Sequence, residues 1–408
     1  MAETDPISIA GTPGTNRTLM KKKILGVLYK NGPGSITDIS KLFRLSIPTA
    51  ASIINELTND GWVGQTGMGN SAGGRPPVLY GLQPHAKYIV GIDVSRRHSR
   101  LAVFTLANSP VGNIVEIPVG LENSDNTTQI LTDHVSKLLK SNDIPQSKLL
   151  GYGIAMPGLH DVRKGINYSY QLPGNTSVAT LFSETLEGHV CIENDTKSMA
   201  LGEAWFGRAK GIKDALCLNI GTGIGMGIII DGKIFRGQSG FSGEFGHIQL
   251  VTDGKLCYCG KTGCLETVAS GAEIVRKAKK SIAGGMTSLI SDFVSDTSAI
   301  DLKTIIQAAS EGDIFSIQLL EDTSEHLARG LAMVIHLLNP QMIIIGGSLS
   351  AAGPLISEPI RHKLTKYTIG QILQDVSIQI SDLGRDAILL GTIPYVLSNY
   401  FELQSDNY

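Results

Sequence analysis

The chain carries one opening theme twice. GIDVSRRHSRLAVF (Gly91–Phe104), inside the apolar runs YIVGIDV and RLAVFTL, reads as strand, tight bend and strand. ALCLNIGTGIGMGIIIDGKIF (Ala215–Phe235) reads the same way, then turns at Asp231-Gly232 into a third strand. IVEIPV supplies the third strand of the first copy, and a helix around Ile130–Leu139 and the strand KLLGYGIAM follow it. A hairpin-led α/β unit present twice predicts two lobes of like topology with a ligand cleft between them. A chain of 408 residues is also too long for one ordinary core, so two or three domains are expected.

The two bends differ in chemistry. The second is Gly221-Thr222-Gly223-Ile224-Gly225. Glycines let backbone N–H groups approach phosphate oxygens closely, and Thr222 adds a hydroxyl. A plain tight turn accounts for the same glycines. The first bend holds Ser95, Arg96, Arg97 and His98, where a phosphate loop is normally small and Gly-rich. Further on, QMIIIGGSLS (Gln341–Ser350) is a buried strand ending in Gly346-Gly347, placed either to flank an adenosine or to turn the chain.

A different texture precedes the repeats. Residues 1–85 hold eight Lys/Arg and five Asp/Glu, a net +3, so the remainder of a chain of net −2 carries −5. A basic head on an acidic body suits a polyanion partner. RTLMKKKILGVLYKN (residues 17–31) spaces Leu19, Ile24, Val27 and Leu28 as a helix does, and Gly32-Pro33-Gly34 stops it. Ser35 caps a second helix whose Ile36, Ile39 and Leu42 share a face. Ser46 opens a third, with Ile47, Ile54 and Leu57 inward and Gly61 at its close. Two short helices and a tight turn make a helix-turn-helix. WVGQTGMGNSAGGRPPVLYGL then reads as strand, Gly-rich tip and strand, a wing. Ser46, Thr49, Ser52 and Asn55 are small polar side chains suited to a major groove, and Arg75 to a minor groove or phosphate. The alternative is a small helical dimerisation module.

Composition fits a folded chain, 42% apolar and 18% charged, with no run of eighteen apolar residues. The polar, acidic N-terminus lacks a signal-sequence pattern, so residues 1–16 are expected to form a disordered arm and the protein to be cytoplasmic. Five cysteines are present, and three of them crowd into eight residues. In GEFGHIQL…LCYCGKTGCLE, His247 precedes Cys257, Cys259 and Cys264 by ten, twelve and seventeen residues. Three thiolates and an imidazole satisfy tetrahedral zinc, and Gly260 and Gly263 let the chain wrap tightly. Four protein ligands close such a site, so its role is expected to be structural. Glu244 and Glu266 flank it and can accept from sugar hydroxyls. Asn194-Asp195 end a strand just before a helix, where Asp195 can take a proton from a hydroxyl or the pair can simply cap.

Together, END followed by ALGE, GTGIGMGIIIDGKI, GEFGH and C-x-C-G-x-x-G-C-L-E resemble the ROK family (repressors, open reading frames, kinases) over nearly the whole chain. With the N-terminal head, the resemblance is to its transcriptional repressor branch. It implies an α/β, bilobed, actin-like and hexokinase-type (ribonuclease H-like) domain behind a winged helix-turn-helix. The expected boundaries are 17–83 for the head, 84–200 for the first lobe with helix 387–402 packing back on it, and 201–386 for the second lobe. The resemblance implies that Asn194, Asp195, Glu244, His247, Glu266 and Gly158 contact a sugar, His247 while ligating zinc with Cys257, Cys259 and Cys264. Asp195 matches the catalytic base of the family's kinases. Those kinases carry D-x-G-G-T at the first bend, whereas this chain has Asp93-Val94-Ser95-Arg96-Arg97. A bulky bend at the phosphates damages a reaction that depends on positioning. Gly221, Thr222, Gly223, Gly346 and Gly347 are therefore expected to be a vestigial nucleotide site. The expected function is a sugar-responsive repressor with a DNA operator, a sugar or sugar phosphate effector, a homodimeric or homotetrameric state and a regulatory protein as a further partner. The rival is a sugar kinase with a fused DNA-binding head.

Overall fold

A computed structural model describes residues 15–70, 75–122, 126–161, 166–170 and 178–401. Residues 1–14 of the expected N-terminal arm and most of the wing tip lie outside these residues; residues 15 and 16 of that arm are instead helical, and Arg75 of the tip is exposed. The chain divides into two compact units, one holding the head, most of residues 84–193 and the chain from Thr392, the other holding Asn194–Gly391. Among the described residues, no helix is long and apolar enough to cross a membrane.

The head begins with helix α1 (Thr15–Asn31), then α2 (Ile36–Phe43) and α3 (Ile47–Asn59). Ser35 closes a capping box with Asp38 at the start of α2, and Arg44 leaves α2 in the left-handed conformation, φ 52°. Ser46 caps α3 and Gly61, at φ 76°, lets the chain leave it. The wing follows as an antiparallel pair, Val63–Met68 and Val78–Leu82. Ile24, Leu25, Leu28, Ile39, Ala50, Ile53, Ile54, Leu57 and Trp62 form the buried interior of the head. Two side chains expected inside are not there: Leu42 and Ile47 are each 57% exposed. The left-handed Arg44 separates the two helices, so the face of α2 does not carry on to Ile47.

Behind the head, the first unit builds a five-stranded sheet. Its order is Val190–Asn194, Leu149–Met156, Tyr88–Val94, Ser99–Thr105, Pro110–Ile117. Tyr88–Val94 pairs antiparallel with Ser99–Thr105 and parallel with Leu149–Met156. The second unit repeats the plan: Lys233–Ile234, Ile224–Ile230, Ala215–Ile220, Met342–Gly346, Ser377–Ile380. Here too the hairpin strand Ala215–Ile220 pairs antiparallel on one side and parallel on the other. Two sheets built on the same hairpin-led plan are the structural form of the repeated theme. The central strands run almost wholly buried through their sheets, because helices cover these sheets.

Head and first sheet are joined within the first unit. Tyr29 donates from its hydroxyl to Asn108 Oδ1 at 2.6 Å. Trp62 of the head stacks on Tyr400, ring centroids 6.0 Å apart, and meets Phe401 edge-on. Lys22 lies 5.2 Å over the Tyr400 ring and Lys87 5.8 Å over Trp62.

Candidate functional site

The strand Val190–Asn194 runs directly into the helix Asp195–Phe206. Asn194 is the N-cap of that helix, its Oδ1 accepting from the Thr196 and Lys197 amides at 3.0 and 3.1 Å. Its cap role is thus real. Asp195, at the first helical position, accepts from the Thr196 amide at 2.7 Å and from Asn219 Nδ2 at 3.4 Å. Asn219 sits on Ala215–Ile220, so the second hairpin helps to aim this carboxylate. Glu203 of the ALGE motif is fully buried and structural: it accepts from the Arg208 amide and the Ser381 hydroxyl.

Glu244, Glu266 and His247 join Asp195 in one acidic group. Glu244 lies 4.0 Å from His247 Nε2. Burial pushes the Glu244 carboxyl above its usual range, Lys197 opposes that, and the Asp195 and Glu266 charges add to it. Glu266 accepts from the Ile224 amide at 2.9 Å, and a side chain at Gly223 would collide with its carboxylate. Gly223 of the second bend therefore also makes room for Glu266. Gly347, at φ 72°, runs beside Ile220, and Gly221 faces Ser348, so the Gly221–Gly223 and Gly346-Gly347 motifs are neighbours. Gly158 lies in the first unit at φ 103°, closed over by Asn167 and Ser169.

His247, Cys257, Cys259 and Cys264 converge, their ligand atoms all within 4.8 Å of one another. Cys257 Sγ lies 3.7 Å from His247 Nδ1, and Cys259 Sγ 3.6 Å from Cys264 Sγ. Metal–ligand lengths of about 2.0–2.3 Å give tetrahedral edges of roughly 3.5–3.8 Å, so these spacings fit one four-coordinate cation. Local bonds shape the loop. Cys257 N–H bonds the Lys261 carbonyl at 2.7 Å, Gly263 N–H bonds Lys255 at 2.9 Å, and Gly260 and Gly263 take positive φ. A Cβ at Gly263 would lie 1.8 Å from the Val251 carbonyl oxygen, so only glycine fits. Without a cation, burial pushes the Cys264 thiol up to about 12, helped by its neighbours Cys259 and Cys257. A bound cation requires the thiolate and reverses that logic. His247 turns Nδ1 to the cysteines and Nε2 to the Tyr258 hydroxyl, 3.1 Å away.

Sequence reasoning missed Asn219, Thr196, Lys197 and Tyr258. Tyr258 alone left a trace, as the aromatic residue between two clustered cysteines.

The first bend is shaped differently. Ser95 Oγ and its amide both reach the His98 carbonyl, at 2.8 and 2.9 Å. The Ser95 and Arg96 carbonyls accept from the Leu121 and Glu122 amides, and Arg96 pairs with Glu122 at 3.6 Å. Asp93 beneath it is buried on its strand opposite Arg100.

On the head, Ser46 Oγ and Thr49 Oγ1 are 2.7 Å apart and Ser46 accepts from the Thr49 amide. Ser52 accepts from Arg17 at 3.0 Å, and Arg17 also pairs with Glu56. Asn55 is exposed. Lys21, only 2% exposed, reaches Glu56 at 3.0 Å and Asp60 at 3.2 Å. The Arg17 hydrogen bond, then Lys21, holds the Glu56 carboxyl at about 2 against an ordinary 4.5, although burial opposes this. A depressed carboxylate stabilises the fold above its unfolded value and loses that contribution as pH falls through the folded value. The α1–α3 clasp should therefore be complete above pH 4.5 and weaken toward pH 2. Urea unfolding of Glu56→Gln against the parent should differ by about 1 kcal/mol at pH 6, discounted for solvent exposure, and by much less near pH 2. Equal differences at both pH values would refute the clasp.

Residues 89–398 match the ROK family profile. The chain belongs to the ROK family. Residues 18–63 match a winged helix-turn-helix DNA-binding domain, so this ROK protein carries such a head. It is 31% identical to a xylose repressor of Caldicellulosiruptor bescii over 398 residues, 94% of this chain and 98% of the repressor. It is also 31% identical to a glucokinase of Halalkalibacterium halodurans over 309 residues, 75% of this chain and 93% of the kinase. A ROK transcriptional regulator described as a homolog of the Mlc protein of E. coli superposes with a TM-score of 0.76, at 24% identity, covering 95% and 97% of the two chains. That likeness carries the fold.

Proposed function

We propose that this protein is a sugar-responsive transcriptional repressor whose ROK domain binds its effector without phosphorylating it. One observation carries the reading: a single chain joins a winged helix-turn-helix to a group of carboxylates gathered beside a set of one histidine and three cysteines. Zinc suits that donor set, and four protein ligands leave it no open position, so its work is to pin the loop. Asp195, Glu244 and Glu266 accept sugar hydroxyls, Asn194 offers its amide, and His247 presents Nε2 while Nδ1 faces the metal. Gly158 is a further contact implied by the family motif. The Ser95–His98 bend, filled with side chains and braced by Leu121 and Glu122, supports the loss of phosphoryl transfer. The name of the xylose repressor relative supports the repressor role.

Effector binding changes DNA affinity only if the effector prefers one arrangement of the protein. The test combines an operator footprint with calorimetry over glucose, xylose, N-acetylglucosamine and their phosphates. One ligand should bind and alter the footprint. Asp195→Asn should weaken that ligand by about tenfold to a hundredfold, the loss of a charged hydrogen bond, and leave unliganded DNA binding intact. DNA affinity that ignores every sugar, phosphate and protein partner tried would sink the sensing claim. ATP turnover on any of these sugars, abolished by Asp195→Asn, would instead favour the kinase reading that the glucokinase relative invites.

A further inference from the structure

We infer that Ile47 is a base-reading residue, and that it recognises the 5-methyl group of a thymine in the major groove. This rests on the DNA-binding reading above. Three of the four small polar residues at the front of α3 are already engaged within the head: Ser46 and Thr49 with each other in the cap, and Ser52 with Arg17. Their hydroxyls are poor candidates for the main contacts to base edges. Ile47 is different. It is the first residue of α3, the end of a recognition helix that meets base edges, and it is 57% exposed. The inward face of α3 is complete without it, filled by Ala50, Ile53, Ile54 and Leu57. Pro48 beside it is exposed as well, so the first turn offers apolar surface. Apolar contact with the thymine methyl is how such a surface reads sequence.

Charge says what covers this face. From Lys41 to Asn55 there is no Asp or Glu, and Lys41 is exposed. The nearest acids are committed elsewhere: Asp38 to the Ser35 capping box, Glu56 and Asp60 to Arg17 and Lys21. An apolar tip beside the cations Lys41 and Arg44 fits a duplex, phosphates at the rim and a methyl at the centre.

The experiment uses the full chain. Duplexes enriched from a random pool define an operator, whose thymines are then replaced singly by deoxyuridine. The parent should lose roughly threefold to tenfold in affinity at one thymine per half-site. Ile47→Ala should bind the thymine operator as weakly as the parent binds the deoxyuridine one, and lose nothing further on deoxyuridine. Its salt slope should be unchanged, whereas Lys41→Ala should flatten the slope by about one unit. An unchanged melting temperature confirms that Ile47→Ala folds. Indifference of the parent to every deoxyuridine, or equal loss by Ile47→Ala on both duplexes, overturns the inference. Failure to enrich any sequence overturns the DNA-binding reading itself, and this inference with it.

Discussion

Cys264→Ser is expected to strip the proposed metal from the protein and weaken effector binding by about a hundredfold, while leaving operator binding by the head in place. Cys264 is fully buried at the closing end of the loop, and its backbone bridges to Gln249. Two residues on, Glu266 starts a short helix and hands its carboxylate to the Ile224 amide. Leu265 N–H bonds the Ile248 carbonyl at 2.9 Å, next to His247. Glu244 and Glu266, two of the residues proposed to touch sugar, thus flank the set that could hold the metal. Losing one of four ligands from a closed site removes most of its affinity for the cation. Bound zinc, measured by atomic emission, should fall from about one per chain to near zero. Effector affinity should fall by about a hundredfold, the scale of losing the orientation of several polar contacts together. The melting temperature should drop by only a few degrees, roughly 4–8 °C, because the second unit has its own large apolar core. Dialysis of the parent against a chelator should reproduce the effect, and added zinc should reverse it. Full effector affinity in a zinc-free variant would disconnect the metal from the sugar site.

The contrast between readable and unreadable parts follows from what spacing can encode. The repeated hairpin theme translated into two sheets built on one plan, because alternation, turn residues and apolar runs are local properties. The convergence of His247, Cys257, Cys259 and Cys264 was legible for the same reason, three of them lying in one tight loop with His247 just upstream. Leu42 and Ile47 were misread. Helical periodicity finds a face but not what lies opposite it, and both side chains are exposed. Asn219 and Lys197 left no trace, since each joins the acidic group only through folding, Asn219 from a strand remote in sequence. Nor could charge counting see that Ser52 is held by Arg17, 35 residues away. The hydroxyls of Ser46, Thr49 and Ser52 suit a groove by residue type, and their bonds within the head are a tertiary fact.

Gly391→Ala should be among the most disruptive single-methyl changes in the second unit. The helix Asp386–Tyr400 crosses the helix Asp195–Phe206 at small residues. A Cβ on Gly391 would lie 1.7 Å from the Ser198 carbonyl oxygen, and one on Gly202 would lie 2.1 Å from that of Ala387. Both obstacles are backbone, so no side chain can swing aside. The Ser198 hydroxyl also donates to the Ile388 carbonyl at 2.9 Å, which fixes the crossing. Forced apart, the helices lose that bond and their packing, a cost of about 3 kcal/mol or more. The melting transition should fall by roughly 6–12 °C. Ser198 lies one turn beyond Asn194-Asp195, so the same displacement carries the proposed sugar contacts with it. The far end of the helix is where Tyr400 and Phe401 meet Trp62 of the head, a contact inside the first unit. Within the second unit, Gly391 thus meets the helix that carries the proposed sugar contacts, and within the first unit Tyr400 meets the head. Trp62→Ala, which opens only the second contact, should spare effector binding and weaken the effect of ligand on the footprint. If Gly391→Ala leaves both melting temperature and effector affinity unchanged, the crossing is looser than its geometry requires.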